Sequence, residues 1–219
     1  MATFVDSALA GAAGFADLIN QGPGIRERIA AARIVLEKTR SAETVLALME
    51  QFGASTEHYV THHAWTARVA RESPAEAVRH ADDMRLSVFR YPLEGWTDAV
   101  IMNVLMGRAV SIQLDEFAEV SYVPLADAFA SIATTENSHA QLGERGLRHL
   151  VADGSESAAI RSSLDYWQPR VADSFGSGVA ARFERLRDLG IRHRTNEELL
   201  TVWRSDIATL LNDLGLAQT

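Results

Sequence analysis

The chain contains no cysteine, which removes disulfide frameworks, thiolate zinc sites and cysteine nucleophiles together. Basic residues are in deficit, with 21 Lys and Arg against 29 Asp and Glu and a net charge of −8. That balance argues against a nucleic-acid binder, which normally carries a basic footprint. No basic segment opens the chain, and Met1 to Leu18 is interrupted by Asp6 and Asp17, so the pattern of a signal peptide is missing. No uncharged apolar run is long enough to cross a bilayer. No flavin, nicotinamide or coenzyme A signature, internal repeat or low-complexity tract is present. The reading is a cytoplasmic protein with neither nucleic acid nor membrane as a partner.

What is present is helix-forming sequence. With 219 residues, 47% hydrophobic and 23% charged, the chain can bury one substantial core, so a single domain over 1–219 is expected. Only 7% of residues are aromatic, and abundant Ala and Leu favour close-packed helices. In order, helices are expected over Ser7–Asn20, ended by Gln21-Gly-Pro-Gly24, and over Ile25–Phe52, with Ile29, Ile34, Leu36, Val45, Leu48 and Met49 as its buried stripe. Ser55–Arg71 follows. Ser73-Pro-Ala-Glu76 reads as a capping box opening a short helix to about Leu86. Tyr91 to about Val120 and Pro124 to about Val151 read as an antiparallel hairpin ended by Asp153-Gly. Helices over Ser155–Phe175 and Val179–Leu189 come next, and Thr195-Asn-Glu-Glu198 is a second capping box opening a final helix to about Leu214. The fold class is all-α, built round a helical bundle with additional C-terminal helices.

The chemistry concentrates in Ser121-Tyr-Val-Pro-Leu-Ala126 and the helix it opens. Glu136 and His139 lie three apart, so they project from one side of that helix. A Glu-x-x-His pair is half of a ferritin-like di-iron site, which takes one from each of two helices and single carboxylates from two others.

Phe89-Arg-Tyr-Pro-Leu-Glu-Gly-Trp-Thr-Asp98, Ser121-Tyr-Val-Pro-Leu-Ala126, Glu136-Asn-Ser-His139 with Gly143, and Asn196-Glu-Glu-Leu-Leu200 followed by Leu214-Gly215 resemble the oxygenase subunits of bacterial phenylacetyl-coenzyme A epoxidase. The resemblance covers about Phe89 to Leu216. It implies a ferritin-like fold and an assembly that pairs a catalytic di-iron chain with a related chain lacking a working metal centre. The expected partner is therefore a second copy or a related ferritin-like subunit.

A hairpin turning near Tyr122 puts the level of Glu136 between Leu105 and Arg108 on the preceding helix. Leu105, Met106, Gly107 and Arg108 offer no carboxylate there, and Asp98 and Asp115 lie roughly 10 Å away along the axis. By the family's spacing, the other Glu-x-x-His belongs on the helix before Gly53, where Glu37 is followed by Arg40 instead of histidine. Asp6, level with Glu37 by mirroring about Gln21–Gly24, is the candidate from the first helix, with Asp17 nearer the turn. The candidate metal ligands are Asp6, Glu37, Glu136 and His139, against six in a complete site. Carboxylates left by a lost metal need other counter-charges. Arg40, Arg108 and Lys38 lie at those levels, so ion pairs of Glu37 or Glu136 with Arg40 or Arg108 are expected in place of the metal. No cofactor is expected, with iron as the alternative.

Plainer readings stand beside these. Glu136 and His139 alone fit a polar pair inside a bundle. His58, His62 and His63 fit a solvated face better than a zinc site. Trp65, Trp96, Trp167 and Trp203 fit core or interface anchors, and Met102, Leu105 and Met106 a packed core or a pocket wall. Three functions follow: a non-catalytic structural or regulatory subunit; a non-haem iron oxygenase acting on an aromatic or acyl-coenzyme A substrate; or a metal-independent enzyme or binder. In the last, His139 is the general acid–base, set by Glu136, with Arg40 or Arg108 holding an anion.

Overall fold

The computed structural model describes residues 1–61, 64–74, 83–176 and 180–217. Among them it places eight α-helices and no strand, which bears out the all-α class and is consistent with a ferritin-like helical fold. The helices are α1 (Ala2–Leu18), α2 (Ile25–Gln51), α3 (Glu57–Thr61), α4 (Trp96–Phe117), α5 (Val123–Asp153), α6 (Ser157–Asp173), α7 (Ala180–Asp188) and α8 (Asn196–Asp213). Two compact units make up the chain, Met1–Trp96 and Thr97–Thr219.

In the first unit α1 lies along α2. Ala2–Gln21 is long and apolar enough to cross a membrane by composition alone, a run the sequence reading did not credit. Just over half of its most apolar window is buried, 56%, and Asp6 within it is buried and hydrogen-bonded. Both are properties of a core helix. Gly11 and Gly14 on α1 leave room for Phe89 and for Leu93 with Arg68.

The helix expected over Ser55–Arg71 is largely absent: α3 has five residues, a single 3-10 turn follows at Ala64–Thr66, and 67–70 is irregular. Side chains take the backbone groups that a helix would use. Arg85 donates to the carbonyls of Trp65 and Ala67, both at 3.0 Å, and Arg68 donates to the same two carbonyls. Most of the helix expected after Ser73, residues 75–82, lies outside the described residues, as do His62 and His63. Its expected end is not helical: the amides of Met84 and Leu86 donate to Asp6 Oδ2 and Ser7 Oγ on α1.

The buried stripe expected on α2 is half right. Ile34, Val45 and Leu48 are buried, but Ile29 and Leu36 are 61% and 51% exposed. At about 100° per residue, Ile29 and Leu36 lie on the side of the helix opposite Ile34 and Val45, so no single stripe contains all four.

In the second unit α4 and α5 run antiparallel at very close range. A Cβ added at Gly107 would stand 3.1 Å from the Ala140 backbone, and one at Gly143 would stand 3.1 Å from the Val104 amide. Small residues facing each other let two backbones approach this closely. Asp98, near the start of α4, is buried and accepts from Ser163 Oγ (2.6 Å) and Trp167 Nε1 (2.8 Å) on α6. Trp203 on α8 donates to the Leu105 carbonyl at 3.0 Å. Trp65, Trp167 and Trp203 are buried anchors, and Trp96 is half-buried. Met102, Leu105 and Met106 are packed core.

Two devices fix the C-terminal elements of this unit. Ser121 donates its amide to Gly190 and its hydroxyl to Leu189, both at 2.7 Å, which ties the α4–α5 turn to the end of α7. Thr195 and Glu198 form the reciprocal capping box expected at the start of α8.

Candidate functional site

Glu136 and His139 are both buried on α5, at 2% and 0% exposure. The helical spacing brings Glu136 Oε2 to 3.6 Å from His139 Nδ1. That is too long for a hydrogen bond, and it is the order of separation between two donors that share one ion. The pair therefore keeps the bite of a Glu-x-x-His half-site.

Across from it, α4 supplies Asn103, Gly107 and Ser111. Asn103 Nδ2 donates to the His139 carbonyl at 2.9 Å. Gly143 makes that contact possible, since a Cβ there would meet the Asn103 amide nitrogen at 2.8 Å. Gly107 stands against Ala140. Extending this pairing by one turn brings Ser111 opposite Glu136, about a turn further along α4 than the Leu105–Arg108 level expected from the sequence. The helix turns back after Tyr122 rather than at it, because α5 begins at Val123. The shift brings no carboxylate to the pair. Ser111 is buried and donates to the Gly107 carbonyl at 2.9 Å, while Asp115 is exposed.

Arg108 does not serve Glu136. Gly107 faces α5, so the next residue is rotated about 100° around α4 and points to other partners. Its Nη1 meets both oxygens of Asp206 on α8 at 2.6 Å, and its Nη2 meets Glu144 at 2.7 Å. Burial opposes the guanidinium's charge, but these two carboxylates outweigh it and hold the pKa above its usual value. Glu144 is also bound by Arg148.

The candidates of the first unit have other described partners. Asp6 Oδ1 accepts from Trp65 Nε1 at 3.2 Å, and its Oδ2 accepts from the Met84 amide at 2.7 Å. Burial first, and then a hydrogen bond and charge from Asp6, push the Tyr59 phenol well above its ordinary pKa. The Tyr59 ring stacks on Trp65, 5.3 Å between centroids. Glu37 is half-buried and takes an ion pair from Arg33 at 2.9 Å. Arg40 lies on the exposed face of α2, and Lys38 lies alongside Gly11 of α1. The expected pairing of Arg40 or Arg108 with Glu37 or Glu136 is thus replaced, in the described contacts, by Arg33–Glu37 and by Arg108 with Glu144 and Asp206. Among the described residues no group of three or more His, Cys, Asp or Glu could hold a metal ion.

Sequence reasoning missed Glu116. It is fully buried near the end of α4 and accepts from the amides of His193 (2.5 Å) and Arg194 (2.9 Å) and from Arg194 Nε (3.1 Å). Burial alone would raise its pKa; the amides of Arg194 and His193, the Arg194 side chain and the Arg192 charge together lower it below the ordinary glutamate value. Asn103 was also passed over, and Asp98 was weighed only as a ligand too far along the axis, not as a buried tie to α6. Their one signal was a polar residue inside the apolar run of α4. A surface groove lies elsewhere in this unit, lined by Asp165, Gln168, Pro169, Ala172, Trp203 and Arg204.

Among curated proteins, none matches the chain. The family model for phenylacetic acid catabolic proteins matches residues 2–218, in agreement with the motifs at Phe89–Asp98, Ser121–Ala126 and Glu136–His139, and the chain belongs to that family.

Proposed function

We propose that this chain is a non-catalytic member of its family, a structural or regulatory subunit for an oxygenase of the phenylacetate type, working in the cytoplasm. One observation carries the reading: α4 closes against Glu136 and His139 with Asn103, Gly107 and Ser111, none of which can ligate iron as a carboxylate does. Glu136 and His139 supply one of the two Glu-x-x-His pairs that a di-iron centre takes, and α4 adds no carboxylate to them. The full burial of His139 also counts against a general acid–base role, because a proton-transferring group must come within hydrogen-bond reach of substrate.

Stopped-flow oxidation of added ferrous ion under dioxygen tests the reading. The expected rate is that of buffer alone, for the wild type and for His139→Ala alike. A fast oxidation phase that disappears in His139→Ala would overturn it.

A further inference from the structure

Helix α2 is apolar on two opposite sides. One side, with Ala31, Ile34, Ala42, Val45 and Leu48, is buried. The other carries Ile25, Ile29 and Leu36 at 76%, 61% and 51% exposure, with exposed Ala32 between them. At about 100° per residue these four fall within a stripe of roughly 60°, spaced four, three and four apart. That is the a/d spacing of a helix-pairing seam. It runs for roughly 17 Å along the axis and stops where Thr39 and then Glu43 take the next positions of the same register. A helix with a second apolar face of this kind is built for a second packing partner.

The flanks identify the kind of partner. Arg26, Arg33 and Arg40 recur every seven residues along one edge of the stripe, and Arg28 lies on the other. Arg26, Arg28, Arg33 and Arg40 are all exposed. Glu37, the partner of Arg33, lies outside the seam. A basic edge is unusual on a chain of net charge −8. It also disfavours a second copy of the same helix on this face. A two-fold antiparallel pair would set the Arg26–Arg33–Arg40 edge against itself, and a parallel pair would set Arg28 near Arg33 of the other copy. Like charges at these positions oppose association.

We propose that the Ile25–Leu36 face of α2 docks an amphipathic helix from a different protein, one whose apolar seam is flanked by carboxylates. This names a contact surface for the subunit role proposed above and rests on that role only for the partner's place in an assembly. The two are read separately, the face by peptide binding and the site by ferrous oxidation.

The probe is a fluorescent designed helix of three heptads, Leu at a and d and Glu at e and g, with a matching Lys version as control. Fluorescence anisotropy should show micromolar binding of the Glu peptide, weakened by added salt, and at least tenfold weaker binding of the Lys peptide. I29E/L36E should abolish binding with the helical circular dichroism unchanged. R26E/R33E/R40E should reverse the preference toward the Lys peptide. Equal binding of both peptides, or of neither, overturns the proposal. So does sedimentation showing a dimer of this chain that I29E/L36E dissolves, because the occupant is then a second copy.

Discussion

Asp6 and Glu136 are both buried carboxylates on long helices, and what sets Glu136 apart is a histidine a turn away on its own helix. Asp6 draws its donors from outside its helix: the Trp65 indole, the Met84 amide and the Tyr59 phenol. It thereby fastens irregular chain to α1. Glu136 faces an imidazole on its own helix at a distance longer than a hydrogen bond. Asp98 and Glu116 follow the pattern of Asp6, each collecting donors from a distant segment. A carboxylate whose oxygens are taken by N–H and O–H donors from other segments is a tie. Glu136 adds to its burial the spacing of a Glu-x-x-His pair.

The contrast can be broken in order of size. Asp6→Ala leaves the Trp65 and Met84 donors buried without that acceptor and should cost about 3 kcal/mol, read as a lower urea midpoint. A loss below about 1 kcal/mol would mean that Asp6 is not the tie described. Gly143→Ala puts a methyl against the Asn103 amide and the Val104 backbone, and should cost roughly 1–3 kcal/mol through overpacking. An unchanged midpoint would show that α4 and α5 are looser than this.

Glu116 adds a pH dependence. Its folded pKa is depressed, so its contribution is present above the unfolded pKa and is lost as pH falls through the folded one. Wild-type stability should therefore drop on acidification below the ordinary glutamate range, and Glu116→Gln should flatten that part of the profile. A parallel drop in both proteins would assign the acid sensitivity elsewhere. The smallest effect expected is that of Thr195→Ala, about 1 kcal/mol for loss of the α8 cap, measured by thermal melting.

Much of this fold was legible because it rests on local signals. Helical periodicity marked α2, α4, α5 and α8, and Thr195-Asn-Glu-Glu198 marked the start of α8 within one residue. What escaped was set by distant partners. The segment after α3 is irregular because Arg85, twenty residues away, takes the Trp65 carbonyl. Ile29 and Leu36 look like core in sequence, since periodicity shows that a face is apolar without showing what covers it. At the site, Glu136 and His139 were legible from spacing. The residues facing them were not, because an error of one turn in a hairpin register replaces every neighbour. Asp98 and Glu116 lie near the two ends of α4 and are engaged there with α6 and with the chain at His193.

Iron content after anaerobic loading with ferrous ion and desalting tests the central claim most directly. The account predicts well under one iron per chain, with the same value for His139→Ala. About two irons per chain, the content of a complete centre, and their loss in His139→Ala would contradict it.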